Sequence, residues 1–380
     1  MSRPCQLAGP FSFASLGAKL WDLCALPSPY DPDDPEEEDL WFLPGPPDDE
    51  GPAAAPWPIA PRPMSLDPAV WIEAERSQYR ALIETVQAVE RYAERLRHFP
   101  AQVKERFALG TVSAVLRSEG VWLGPERIAL YQALRLATDD TARDLSRASW
   151  AMRRLMARPV QGGGPTDGVH HFLGRAHQAD PQVVPGEDRP TGYELEAIGR
   201  DWASKVGLVQ AAHPLTRAAY AFAQWRAHDI TPWDELLEPT VAAVILGCAD
   251  LDAGASFLPL SESHRFDRHG LSENAGGAEA RLEVFYGAIR QGALKANMEL
   301  ERLASWQARA QQATRHLSGR TPAELIGTLM KYPIVSAELV SKDTGCSRVS
   351  ARRNLNLFAD LGLVREVTGQ DRYRFWAAQL

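Results

Sequence analysis

"SKDTGCSRVSARRNLNLFADLGLVREVTGQDRYRF", residues Ser341 to Phe375, decides how this chain is read. Gly345 can enter the left-handed conformation at no steric cost, so it ends one helix. Ser347 offers a side-chain oxygen to the free N–H groups of the next helix, which Gly362 ends. Beyond it, apolar and polar residues alternate on both sides of a Thr368–Asp371 turn, as in a β-hairpin. Upstream, "TPAELIGTLMKY" predicts a helix capped by Thr321, with Pro322 in the first turn and Glu324 three residues on. "PIVSAELVSKDTG" predicts a short strand-like step and a helix capped by Ser336. Three helices and a hairpin in ~60 residues describe a winged helix-turn-helix.

Such a unit reads DNA with the N-terminal half of its last helix. That half holds Ser347, Arg348, Ser350, Ala351, Arg352, Arg353 and Asn354. Arginine bonds bidentately to guanine and asparagine to adenine, and a serine at a helix N-terminus suits a phosphate. Val349, Leu355, Leu357, Phe358 and Leu361 are expected inside. Arg372 and Arg374 alternate with Tyr373 and Phe375, so both arginines are expected on one face of the hairpin, against the DNA backbone. Asp360, Glu366 and Asp371 dilute the positive field, and a unit that only packs or dimerises is the competing reading.

Charge is polarised along the chain. The net charge of −8 is matched by residues 1–63 alone, with three basic and eleven acidic side chains, as in "DPDDPEEEDL". The same leader carries half of the 28 prolines. Proline removes backbone donors and like charges repel, so residues 1–66 are expected to be a disordered acidic leader. In it, Leu40, Trp41, Phe42 and Leu43 form an apolar cluster that could meet a protein partner or cover the chain's own surface. From residue 318 the tail has nine basic and six acidic side chains. No run of 18 apolar residues suggests a membrane span. Cys5, Cys24, Cys248 and Cys346 are far apart, which fits reduced thiols in a cytoplasmic protein.

Between leader and tail the period is helical. Tyr79, Leu82, Val86, Val89, Ala93 and Leu96 form one stripe of a long helix, extended back to Ile72 across an interruption at Glu75. Leu282, Phe285, Ile289, Ala293, Ala296, Leu300 and Leu303 form a second. Shorter helices are predicted near 101–118, 124–137, 141–157, 192–206, 215–228 and 234–249, and "RPVQGGGPTDGVHH" reads as a flexible loop.

The tail resembles the C-terminal helix-turn-helix of Fic-type proteins and of a bacterial family related to them. "VSAVLRSEGVWL" is similar to the Fic inhibitory helix, whose Glu-Gly falls on Glu119-Gly120, and "HPLTRAAYAFAQWRA" to the helix before the Fic active-site loop. The resemblance implies a Fic-like bundle but not its chemistry. Fic enzymes need His-Pro-Phe, an acidic residue and Gly-Asn-Gly-Arg. Here "RAHDITPWDELLEPTVAAVIL" offers His228, Asp229 and Asp234 with no glycine or arginine after them, so the phosphate cradle is missing. His213-Pro214 lies a helix too early and reads as the start of that helix. Glu119 would need an arginine from the missing motif, so it reads as a helix-end residue beside a glycine. Gly162–Gly164 lack the lysine of a P-loop, and His170, His171 and His177 read as a chance cluster.

The expectation is a mainly α protein. It has a leader over 1–66, an all-helical degenerate Fic-like bundle over 67–317 and a winged helix-turn-helix over 318–380. It would be a non-enzymatic transcriptional regulator with no cofactor and no metal, binding double-stranded DNA as a homodimer through Ser347, Arg348, Ser350, Arg352, Arg353, Asn354, Arg372 and Arg374. The alternatives are a degenerate Fic-type nucleotidyl-transferring enzyme, with His228 as base and Asp234 on a metal, and a scaffold whose winged helix only packs.

Overall fold

The computed structural model describes residues 66–134, 140–157, 163–175, 189–248, 257–260, 277–369 and 373–380. The leader with its Leu40–Leu43 cluster, and Arg372 of the hairpin, lie outside the described residues.

Helix α1 (Pro68–Ser77) starts as its sequence demands, with Asp67 accepting from the Ala69 N–H at 2.9 Å and Pro68 in the first turn. The expected long helix is two: α2 (Tyr79–Leu96) follows a break at Gln78, whose φ of −94° and ψ of 15° leave the α region. Glu75, which interrupts the apolar stripe, accepts from the His213 N–H at 2.9 Å and from the Thr216 hydroxyl. It therefore serves the start of α8 (Pro214–Ala227) rather than the face of its own helix. His213 caps α8 as a turn residue, its Nδ1 accepting from Leu215 N–H at 3.2 Å. Tyr79 is exposed, while Leu82, Val89, Ala93 and Leu96 are buried.

The remaining bundle helices are α3 (Lys104–Ser118), α4 (Pro125–Leu134), α5 (Ala142–Met156), α6 (Val169–Leu173), α7 (Gly192–Gly207) and α9 (Leu237–Gly247). The His170-His171 pair is not in a loop; it lies on α6. Helix α8 is buried almost all round, from Ala218 to Trp225, which makes it the central rod of the bundle. Its aromatics meet neighbours edge-on: Tyr220 meets Trp71, and Trp225 meets Trp202, with centroids 5.3 and 5.2 Å apart.

Helix α10 (Ala278–Thr314) carries the second stripe, and every residue predicted to lie on it is buried. It pairs with α2 along its first half and meets the tail with its second. The tail comprises α11 (Thr321–Lys331), β1 (Val335–Ser336), α12 (Ala337–Thr344), α13 (Arg348–Asp360), β2 (Val364–Glu366) and β3 (Phe375–Ala378). Thr321 is the first residue of α11, not its cap; Arg320 stands there, without a side-chain cap bond, and pairs with Glu324 at 2.9 Å. The sheet is antiparallel in the order β1-β3-β2, with Val335 opposite Trp376 and Val364 opposite Ala378. No described helix is long and apolar enough to cross a membrane.

Candidate nucleic-acid interface

The turn between α12 and α13 is held by short polar contacts that the sequence foreshadows. Ser336 Oγ accepts from the Leu339 N–H at 3.1 Å and starts α12, and Gly345, at φ 73°, stops it. The Ser341 hydroxyl donates to the Cys346 carbonyl at 2.6 Å, and Ser347 Oγ accepts from the Ser350 N–H at 3.2 Å. Below the turn, Leu325, Leu329, Val340, Ala351, Leu355 and Phe358 are fully buried. Asp343 ties α12 to α11, accepting from the Thr328 hydroxyl at 2.7 Å and from Lys331 at 2.9 Å. Burial raises its pKa, but those two donors outweigh burial and hold the carboxyl below its usual range.

The inward phase of α13 runs through Ala351, Asn354, Leu355 and Phe358. Ser347, Arg348, Val349, Arg352 and Arg353 consequently face solvent. This corrects two expectations. Val349 is not a core residue; it is 80% exposed. Asn354 cannot offer its amide to a base, because it is only 6% exposed and its Nδ2 donates to the Ser350 carbonyl at 2.9 Å. Leu361, expected inside, is also exposed, since it sits at the C-cap. Arg348 pairs with Glu338 at 2.9 Å, but both side chains are more than two-thirds exposed, so water competes for the pair. Arg352 and Arg353 have no ion pair among the described residues.

Arg374 departs from its expected role as well. Its Nε donates to Glu366 at 2.7 Å, and the guanidinium lies 5.1 Å from the Trp376 ring centroid. Neutralised within the hairpin, it braces β2 against β3 instead of reaching outward. The exposed hairpin group is Tyr373, in a positive-φ conformation at 56°. A cleft of about 950 Å³ opens here, with Arg348, Val349, Arg352 and Tyr373 on the tail side and Ala133 and Leu134 of α4 on the other.

The opposite side of the tail is fixed to the bundle. Buried Arg106 of α3 donates through Nη2 to the Leu329 and Tyr332 carbonyls, both at 2.7 Å. Burial pushes its pKa down to about 10, against the pull of Glu299 and Glu105. Arg365 pairs with Glu126 of α4, and Arg309 of α10 donates to the Gln379 carbonyl at 2.5 Å.

Two polar groups of the bundle were candidates for chemistry. His228 closes α8, its Nδ1 2.7 Å from the Gln224 carbonyl and its Nε2 2.9 Å from Asp201 and 3.2 Å from Lys205. Asp234 is exposed. No group of three or more His, Cys, Asp or Glu among the described residues could hold a metal ion. Glu119 is more than a helix-end residue. Its Oε1 accepts from the Leu236 and Leu237 N–H groups at 2.6 and 2.8 Å, and its Oε2 meets Arg147 at 2.7 Å. The start of α9, an anion-attracting helix end, is thus occupied by the protein's own carboxylate. Burial keeps that carboxyl above its usual pKa despite Arg147. Sequence reading missed this because Arg147 comes from α5, not from a loop motif.

Residues 323–378 match the family described as HTH DNA binding domain. The match spans the tail from α11 to β3. No curated protein matches the chain in sequence. Among solved structures, it is similar to a Fic family protein from Desulfovibrio desulfuricans G20, at 16% identity and a TM-score of 0.44, covering 79% of this chain and 95% of the other.

Proposed function

We propose that this protein is a non-enzymatic, DNA-binding transcriptional regulator, with residues 318–380 forming a winged helix-turn-helix. Helix α13 would enter the major groove, with Arg348, Arg352 and Arg353 contacting bases and phosphates and Ser347 and Ser350 at its leading end. The observation that carries this is the exposure of Arg352 and Arg353 on one face of α13 with no carboxylate partner among the described residues. Packing against the bundle uses other surfaces, those reached by Arg106, Trp306 and Arg309, so among the described residues the outer face of α13 with Arg352 and Arg353 stays exposed. A catalytic role is disfavoured by the segment after α8, which lacks glycine and arginine up to Leu246, and by the engagement of His228 with Asp201 and Lys205. A homodimer on paired half-sites follows from the weak selectivity of one such unit.

The test is retention of genomic DNA fragments by the full chain at two salt concentrations, beside the Arg352→Ala/Arg353→Ala variant. Specific enrichment that the variant loses, with a salt slope shallower by about 2, supports the reading. Failure of both proteins to retain DNA at low salt sinks it.

A further inference from the structure

We infer that Val349 is a specificity-determining residue, seated on the 5-methyl group of a thymine in the major groove. The inference rests on the DNA-binding reading above and adds a base identity to an interface so far described by charge.

Val349 is the most exposed large apolar residue among those described, at 80%. It stands in the first turn of α13, beside Arg348 and one turn before Arg352 and Arg353. On a helix, residues three and four apart share a face, so Val349 lies within the arginine surface rather than at its edge. The cleft wall formed by Ala133 and Leu134 does not cover it, as its exposure attests. The first turn of a reading helix is the part that comes closest to base edges. An isopropyl group has nothing to give a phosphate or a base nitrogen. On the major-groove edges of the four base pairs, the distinguishing apolar group is the thymine methyl. Valine's branched Cβ also fixes its rotamer in a helix, so the contact surface is preformed. The flanking arginines supply the charge complementarity that brings the groove to it.

The experiment begins by selecting sites from a random duplex library with the full chain. Each thymine of the selected site is then replaced singly by uracil, which removes one methyl and nothing else. Wild type should weaken about fourfold at one thymine in each half-site, the equivalent of one buried methylene. Val349→Ala should bind the thymine site about fourfold more weakly and lose nothing further with uracil. Its melting temperature should match wild type, because the side chain is exposed. If a site is selected but every uracil substitution is silent, or Val349→Ala responds to uracil as wild type does, the inference falls and DNA binding stands. If no site is selected, both fall. A Val349→Ala change in sedimentation instead of in uracil response would assign the residue to contact between two copies and overturn the inference.

Discussion

Trp306 and Leu363 join the long helix to the DNA-binding tail: the indole Nε1 of the first donates to the backbone carbonyl of the second at 2.8 Å. Both residues are buried, and Leu363 directly follows Gly362, the residue that ends α13. The orientation of α13 is therefore fixed by a hydrogen bond from α10, with the Arg106 bonds to α11 as a second tether. Trp306→Phe keeps most of the apolar surface and removes the donor. It is expected to cost about 1–3 kcal/mol, the penalty for a buried carbonyl left without its partner, measured by urea denaturation.

Arg106 holds two carbonyls at the end of α11 with one nitrogen. Arg106→Met should destabilise the protein by about 2–4 kcal/mol, since bonds to a charged donor exceed neutral ones. The loss should concentrate at the junction. Hydrogen exchange should speed up in α11 far more than in α8, and equal acceleration in both helices would contradict the tether.

Asn354 and Arg352 sit two residues apart on α13 but face opposite ways. Asn354→Ala should lower stability by about 1 kcal/mol and leave DNA affinity per folded molecule intact. Arg352→Ala should do the reverse. Titration of a labelled duplex alongside thermal melting of each variant separates the two; a loss of base preference in Asn354→Ala would refute its internal role. Arg374→Ala should follow Asn354→Ala, because its charge is spent on Glu366.

Glu119 and Arg147 are both largely buried. Glu119→Ala leaves the guanidinium short of one carboxylate and the Leu236 and Leu237 N–H groups without an acceptor. A cost of about 3–5 kcal/mol is expected in denaturant unfolding, as for breaking a buried pair from one side.

Asp343 gives a pH signature. Its carboxyl titrates lower in the folded than in the unfolded chain, so its contribution is full above the ordinary aspartate range near 4 and is lost as pH falls through the lower folded value. Asp343→Asn should therefore melt below wild type at pH 7, and the gap should close on acidification below about pH 4. A gap that widens in acid would reverse the sign and rule out this assignment.

The tail was legible because its signals are local. Ser336, Gly345, Ser347 and Gly362 each act on a backbone group within a few residues, and all four sit where their chemistry placed them. The stripe of α10 was legible for a similar reason, since periodicity over many turns leaves little freedom of phase. Within α13 the phase was harder. Val349 is two residues before buried Ala351, about 200° away around the helix, but its apolar type suggested the inside. Asn354 is polar yet faces inward, where it can bond its own helix. Glu119 with Arg147, Glu75 with Thr216 and Arg106 with Tyr332 were not legible at all. Each pair is distant in sequence and is created by the fold. The break at Gln78 has no glycine or proline to announce it.

Helix α10 has a consequence for how the chain tolerates change. It runs unbroken for 37 residues, about 55 Å at 1.5 Å per residue. Residue count along it therefore works as an angular gauge as well as a ruler. Adding one residue between Leu300 and Trp306 would turn everything downstream by about 100° and carry the Leu329 and Tyr332 carbonyls of the tail off Arg106 of α3. Only length changes that restore the helical phase would keep α13 aimed as it is. The stretch between the bundle and its DNA-binding tail should thus accept substitution on its outer face but reject insertions and deletions.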